Sequence, residues 1–379
     1  NLVIKEVAQP LLDDHSILVA VQYAYVSSGT NVAKINVKDG FFSNVPHKVK
    51  RVMQAVSYQN IQKDDFENAA HNKVYSLGYS CAGRIISVGK KIRKFAPGDL
   101  VACADPGYTH LADLVCIPEN LAVKVTHEDN LKAASLTTIA AIALQGIRPA
   151  NLQLGERVCV FGLNLLGQLT VQLAKLAGCY VYATSNIPSR LELAATWADQ
   201  VFHIGQQDIE KEIHLLTERH GVDTTIITTS SENNEIIDNS IAITRKKGKI
   251  VIVGDVSLNI KRDQFYAKEI DLLGSTAYGP GSYEPVYEKN NCDYPYAYVR
   301  WTENRNMQEC VRLIEHKKID VQQFIDQEVS ITDLPQTYTR ITNKSLLGAV
   351  LHYQPIPQVA SIKPRRETKD LGIRFIPAM

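Results

Sequence analysis

No Cys-x-x-Cys pair occurs in the sequence: its seven cysteines, Cys81, Cys103, Cys116, Cys159, Cys179, Cys292 and Cys310, are scattered over 379 residues. That spacing reads as free thiols in a reducing cytoplasm rather than a disulfide framework. No apolar run approaches the roughly 20 residues that span a bilayer, so no membrane partner is expected. Charge of neither sign dominates: 41 basic residues face 40 acidic ones, for a net charge of +1. With no basic stripe interleaved with aromatics, nucleic acid is not an expected partner. There is no internal repeat and no low-complexity tract. No charged-apolar-small leader opens the chain, and residue 1 is Asn rather than Met, so further residues upstream are expected. What is present is a 45% hydrophobic composition, enough to bury a sizeable interior, in a chain long enough for two domains.

Residues 1 to about 145 read as all-β. The runs SILVAVQYAYV, GRIISVG, DLVACA, ADLVCIP and LAVKV are punctuated by glycine, proline and aspartate, the pattern of a compact barrel-like domain. Residues 47–72 are polar and carry no clear pattern. From about 147 the rhythm changes to alternating β and α: ERVCVF, then a helix over LLGQLTVQLAKLAG, CYVYAT, a helix over PSRLELAATWA, QVFHI, and a helix over IEKEIHLLTERHG. DTTIITT, a helix over NNEIIDNSIAITRKKG, KIVIVG and IDLLGST follow. Continuous apolar strands between helices predict a parallel, doubly wound sheet covered on both faces. Residues 281–353 then carry an aromatic-rich loop, a helix over NMQECVRLIEHKKID, a strand and a short helix. Beyond Tyr353 a proline- and charge-rich linker runs into a last strand-like stretch, IRFIPAM.

The first strand–helix junction of the second half is Gly162-Leu163-Asn164-Leu165-Leu166-Gly167. A dinucleotide fingerprint asks for glycine at three places: for the sharp turn, for approach of the pyrophosphate, and for close packing of helix on sheet. Gly162 and Gly167 meet the first and third demands, and Asn164 stands at the second. Asparagine tolerates positive φ better than most residues, yet its side chain takes space where phosphate comes close. The turn therefore reads either as a dinucleotide cradle on a helix N-terminus or as the plain helix start of a doubly wound domain. At the end of the next strand, where an NAD site places an acidic residue on the ribose, stands Ser185, with Arg190 five residues on. No carboxylate there repels a 2′-phosphate and an arginine is in reach, which favours NADP while leaving NAD open. The alternative is that Ser185 caps a loop and Arg190 is a solvated helix residue.

Taken together, SSGTN (27–31), LGYSCAGRIISVG (77–89), FAPGDLVA (95–102), GYTHLADLVCIPENLAVKV (107–125), TIAAIALQGIR (138–148) and the turn itself resemble the medium-chain dehydrogenase/reductase superfamily over residues 1–353. GYSCAG, AIALQGIR, YGPGSYEPVYE and DYPYAYVRWTENRNM are similar to the N-terminal half of bacterial bi-domain oxidoreductases, in which it is fused to a glucose–fructose oxidoreductase-like half. The resemblance implies an α/β fold of two parts: a GroES-like β-barrel catalytic domain at 1–146, to which 281–353 returns, and a Rossmann dinucleotide-binding domain at 147–280. Residues 354–379 would then be a linker and the start of a second oxidoreductase module. It also implies a link to surface-polysaccharide biosynthesis.

Zinc alcohol dehydrogenases of this superfamily hold a catalytic metal with a cysteine, a histidine and a third ligand. The matching positions here are Ser28, Tyr79 and Thr138, and the four-cysteine structural lobe is missing. Three hydroxyls do not make a zinc site, so the resemblance implies a zinc-independent enzyme. Hydride chemistry then belongs to the nicotinamide, with the protein supplying position and a proton. Candidate proton or oxyanion contacts are Tyr79, Tyr108, Ser28 and Thr138, each of which also reads as an ordinary structural residue. Carried over by position, Thr229 and Ser230 would face the adenosine half of the cofactor, and Val253, Gly254 and Asp255 the nicotinamide half. The sequence-level expectation is an NADP-dependent, zinc-independent reductase of a small molecule. The alternative is a degenerate, non-catalytic scaffold for a partner or fused oxidoreductase. The edge stretch IDLLGST needs covering, and a homodimer would cover it.

Overall fold

The computed structural model describes residues 2–4, 6–27, 77–343, 345–354 and 374–375. Ser28, the rest of the 28–31 motif, the 47–72 stretch and most of the expected linker lie outside the described residues. The chain divides into two compact units, Asn1–Thr138 with Pro280–Glu315 and Val321–Met379, and Ile139–Gly279 with His316–Asp320.

The first unit is built on strands β1 (Leu2–Val3), β2 (Ser16–Ser27), β3 (Ser80–Val88), β4 (Leu100–Ala104), β5 (Leu114–Pro118) and β6 (Ala122–Val125). Helix α1 (Leu131–Ala134) and the start of α2 (Thr137–Ala150) follow. Twelve-residue β2 organises the sheet. One of its edges pairs with β3; the other is shared, with Ser16–Ala20 pairing β5 and Tyr23–Ser27 pairing β14 (Gly348–His352). The full path is β13 (Gln327–Val329), β14, β2, β3, β4, β6, with β5 off β2. Strand β2 can serve two partners because it is apolar along nearly its whole length, and Ile17, Val19, Val21 and Tyr25 are all buried. Burial also commits the Tyr25 hydroxyl, which donates to the Phe324 carbonyl at 2.7 Å and ties the returning segment to β2. Within the stretch IRFIPAM, β15 (Arg374–Phe375) pairs antiparallel with β1.

The second unit alternates as its apolar strands require: β7 (Arg157–Phe161), α3 (Leu165–Leu176), β8 (Tyr180–Ser185), α4 (Pro188–Ala194), β9 (Gln200–His203), α5 (Ile209–Leu216), β10 (Val222–Ile227), α6 (Glu235–Ile243), β11 (Thr244–Ile252), α7 (Arg262–Lys268) and β12 (Asp271–Gly274). Its six strands are all parallel, in the order β12-β11-β10-β7-β8-β9. This is the doubly wound sheet, and its strand order reverses at β7 and β10. Ile209 and Ile213 of α5 and Ile237 and Ile241 of α6 share one core cluster with Phe161 and Phe202.

Three helices are shorter than their sequences suggest. The helix expected over 233–248 stops at Ile243, and Thr244–Ile252 is strand. Thr244 leaves the helical conformation, and its hydroxyl meets both Ser240 O and Thr225 Oγ1. Lys247 takes φ 57°, and the extra residues bulge between the pairs Val222↔Thr244 and Thr224↔Lys249. The C-terminal end of α6 is held by Lys268, whose ammonium donates to the carbonyls of Ile241, Ala242 and Thr244 at 2.6–2.9 Å. Helix α5 ends at Leu216, ahead of the left-handed pair Glu218 and Arg219. Helix α4 ends at Ala194 rather than running through Trp197.

The last two parts of the first unit carry α8 (Pro285–Glu288), α9 (Glu303–Glu315) and α10 (Leu334–Thr342). Helix α9 begins at Glu303, three residues before the expected start at Asn306, because Thr302 sits before it with its hydroxyl toward the Arg305 amide.

Candidate functional site

In the second unit, the turn from β7 to α3 explains both of its glycines. Gly162 sits at φ 93°, and a Cβ there would lie 2.4 Å from the Thr229 Cβ. A Cβ on Gly167 would lie 1.8 Å from the Gly162 carbonyl oxygen, so any side chain would push the helix off the sheet. Thr228, at the end of β10, closes the turn from below by donating its hydroxyl to Gly162 O at 2.6 Å.

Asn164 does not use the left-handed conformation considered for it: its φ is −67° and its ψ −178°. It is the N-cap of α3. Its Oδ1 accepts the Gly167 amide at 3.0 Å, and its Nδ2 donates to Thr228 O at 3.0 Å. The side chain is thus spent on the protein's own backbone, between the helix start and the neighbouring strand. Leu163 and Leu165 are buried beside it, while the amides of Leu165 and Leu166, in the first helical turn, have no intrahelical acceptor. That is the donor set a phosphate uses. A cradle that a Cβ would fill, next to unclaimed helix amides, fits a dinucleotide.

Ser185 ends β8, buried, with its hydroxyl accepting the Ile187 amide at 3.1 Å. Arg190 lies in the first turn of α4. Gln168, also buried, ties this region to the turn: its Nε2 donates to Arg190 O at 2.7 Å and approaches Leu163 O at 3.5 Å. Ser231, next to Thr229 and Ser230 beyond β10, donates its amide to Asp255 O. Val253 and Gly254 follow β11, and both amides donate to Ile227 O. A Cβ on Gly254 would lie 2.0 Å from Thr229 O, so glycine answers a close backbone crossing there. The structure gathers residues 162–167, 185, 190, 229, 230 and 253–255 at the C-terminal edge of this sheet, where doubly wound folds bind their ligands. Gln168 and Thr228 were missed by sequence reasoning. The available signal was a polar residue inside an apolar run, in LLGQLTVQL and IITTSS.

The first unit places the other candidates just before β3, on α2 and in the loop after β4. Tyr79 is buried, and its hydroxyl shares a hydrogen bond of 2.8 Å with Ser27 Oγ. Burial pushes the phenol up to about 12, against the easing effect of Ser27. Ser80 Oγ donates to Ser135 O at 2.6 Å. Thr138 is fully buried at the start of α2, with its hydroxyl toward Cys103 O at 3.4 Å and its amide toward Ser80 Oγ at 3.4 Å. Thr138 thus lies against Ser80, the sequence neighbour of Tyr79, with its hydroxyl toward the Cys103 carbonyl of β4. Tyr108, half-buried in the loop after β4, is raised first by burial and then by the carboxylates of Asp105, Glu288 and Asp13. Among the described residues, no group of three His, Cys, Asp or Glu side chains is placed to hold a metal ion.

Comparisons with known proteins agree with this architecture. Residues 166–290 match the family model described as "Zinc-binding dehydrogenase". D-guloside 3-dehydrogenase of Shigella flexneri is 27% identical over 280 residues, covering 71% of this chain and 74% of that protein. The solved structure of alcohol dehydrogenase TADH from Thermus sp. ATN1 has the same fold, with a TM-score of 0.69 at 16% identity over 92% of this chain and 95% of that one. A putative zinc-binding dehydrogenase from Sinorhizobium meliloti 1021, solved bound to NADP, superposes with a TM-score of 0.66 at 16% identity over 92% of this chain and 95% of that one. By these likenesses the chain is an NAD(P)-dependent oxidoreductase with the fold of the medium-chain dehydrogenases and reductases.

Proposed function

We propose that the protein is a zinc-independent reductase that prefers NADP and acts on a small, carbohydrate-like molecule in surface-polysaccharide biosynthesis. The observation that carries this reading is the commitment of Asn164. The one residue that departs from the fingerprint caps the helix and bridges to Thr228 instead of plugging the turn.

When bound, the nicotinamide would supply the hydride. The chain's own residues would do the rest. Leu165 and Leu166 amides would receive the pyrophosphate at the positive end of α3. Ser185 and Arg190 would receive the adenosine ribose and its 2′-phosphate, Thr229 and Ser230 the adenosine side, and Val253–Asp255 the nicotinamide side. Tyr79 and Tyr108 would keep their protons through the neutral range, because burial disfavours both phenolates, and so would serve as donors. Ser27 would relay to Tyr79 through their hydrogen bond. Thr138 would act as a positioning residue beneath them. Support for a carbohydrate-like substrate comes from the relative that acts on D-gulosides. Support for zinc independence comes from the tyrosine and threonine at positions where relatives carry ligands.

Fluorescence titration with NADPH and NADH tests the reading. NADPH is expected to bind more tightly; failure of both at millimolar concentration rejects it. Activity unchanged after exhaustive chelation is the expected result for the metal, and loss restored by Zn²⁺ would overturn that part. Strand β12 is one of the two edges of its sheet, and pairing of two copies there would cover it. A monomer at high concentration in light scattering would refute the dimer.

A further inference from the structure

Helix α10 presents two different faces. Leu334, Tyr338 and Ile341, at i, i+4 and i+7, are buried. Asp333 at its N-cap, then Gln336, Thr337 and Arg340, at i, i+3, i+4 and i+7, form a polar stripe. That stripe shares a cleft of about 420 Å³ with the edge strand β13, where Gln327, Glu328 and Val329 make the other wall. The volume lies within the range of small-ligand sites. Every residue of the cleft belongs to the first unit.

Several of these polar groups have no work within the protein. Thr337 is only 4% exposed, yet its hydroxyl has no hydrogen-bond partner among the described residues. The side-chain amides of Gln327 and Gln336 have none either, and the Arg340 guanidinium has neither a hydrogen bond nor an ion pair among the described residues. The carboxylates of the cleft are engaged: Glu328 pairs with Lys132 at 2.8 Å, and Asp333 accepts the Ser330 hydroxyl at 2.6 Å. A nearly buried hydroxyl without a partner costs stability. The fold by itself therefore gives no reason for threonine at 337.

The spacing of the groups describes what fits. Asp333 and Arg340 stand two helical turns apart, about 10 Å along α10. That is too long for a free amino acid and suits two linked sugar rings. The amides and the hydroxyl between them match ring hydroxyls, and Val329 offers an apolar contact to a ring face. At one end, the Arg340 fork matches a carboxylate. Glu328 and Asp333 disfavour a dianion such as a phosphate monoester more than they disfavour a single carboxylate. We propose that the cleft between α10 and β13 binds an acidic disaccharide, with its uronate carboxylate on Arg340 and its hydroxyls on Thr337, Gln336 and Gln327. The site lies wholly in the first unit and does not depend on the nucleotide reading.

Isothermal titration of the intact protein with cellobiouronic acid, a glucuronate-bearing disaccharide, tests this beside cellobiose and glucose 1-phosphate. Cellobiouronic acid is expected to bind at least about tenfold more tightly than cellobiose, the worth of one hydrogen-bonded charge, and more tightly than glucose 1-phosphate. Arg340→Gln, at an exposed position, is expected to remove that advantage and keep the melting temperature. Thr337→Val is expected to weaken binding about fivefold with an equal or higher melting temperature, because the fold loses no bond. No binding of cellobiouronic acid at millimolar concentration, equal affinity for cellobiose, or tighter binding of glucose 1-phosphate would each overturn the proposal. Binding unchanged in Arg340→Gln would place the sugar elsewhere on the protein and overturn it as well. A lower melting temperature in Thr337→Val would show that the hydroxyl serves the fold, and would overturn its role as a ligand contact.

Discussion

Replacing Asn164 separates its two jobs, capping and clearance. In Asn164→Ala both bonds go: the cap to the Gly167 amide and the donor to Thr228 O, each 3.0 Å long. The lost cap costs about 1 kcal/mol, and the second, partly buried bond about 1 kcal/mol more. For a unit of this size that is a fall in melting temperature of about 4–8 °C. Asn164→Asp keeps the acceptor for Gly167 and loses the donor, setting a carboxylate against the Thr228 carbonyl at the entrance of α3. The helix dipole returns about 0.3–1 kcal/mol of that stability. The same charge stands where the proposed pyrophosphate would lie. At about 4 Å, two unit charges repel by about 1 kcal/mol in water and about 4 kcal/mol at the dielectric typical of a protein surface. NADPH affinity should therefore fall at least about fivefold, and up to several hundredfold. Thermal unfolding and NADPH fluorescence titration on the same preparations give both readouts. An Asn164→Asp variant that binds NADPH like the wild type would show that phosphate does not sit at this turn. An Asn164→Ala variant with an unchanged melting temperature would refute the capping geometry.

Gly167→Ala puts a methyl 1.8 Å from Gly162 O; a destabilisation of about 3 kcal/mol and loss of NADPH binding are expected in denaturant titration and fluorescence. Lys268→Met removes three donors from the end of α6 and should cost about 2 kcal/mol, read as a lower urea midpoint with unchanged slope. Asp199 is held below the usual carboxylate range: burial opposes ionisation, but Lys175 and the Val181 amide outweigh it. Its contribution is present above the ordinary carboxylate value and is lost as pH falls through the lower folded value, so Asp199→Asn should flatten the acid limb of the stability profile. An unchanged acid limb would refute that. Ser185→Asp should weaken NADPH more than NADH by isothermal titration; equal losses would place the 2′-phosphate elsewhere.

What the sequence determined by itself was the fold class. Apolar runs too continuous for a half-exposed sheet, separated by helix-length stretches, leave a parallel doubly wound sheet as the way to bury them. The punctuated short strands before residue 145 required a separate β architecture. Gly162 and Gly167 were legible for the same reason: backbone crossing at a tight turn admits no side chain, and only glycine lacks one. Tertiary structure decided the matters that depend on partners distant in sequence. Whether Asn164 blocks or caps depends on a carbonyl 64 residues away, at Thr228. Where α6 ends depends on Thr225 and Lys268. The return of Arg374–Phe375 to Leu2–Val3 lies beyond any local pattern. Periodicity records which face of an element is buried; it carries no information on which distant polar group meets it there, and the chemistry of this protein rests on those meetings.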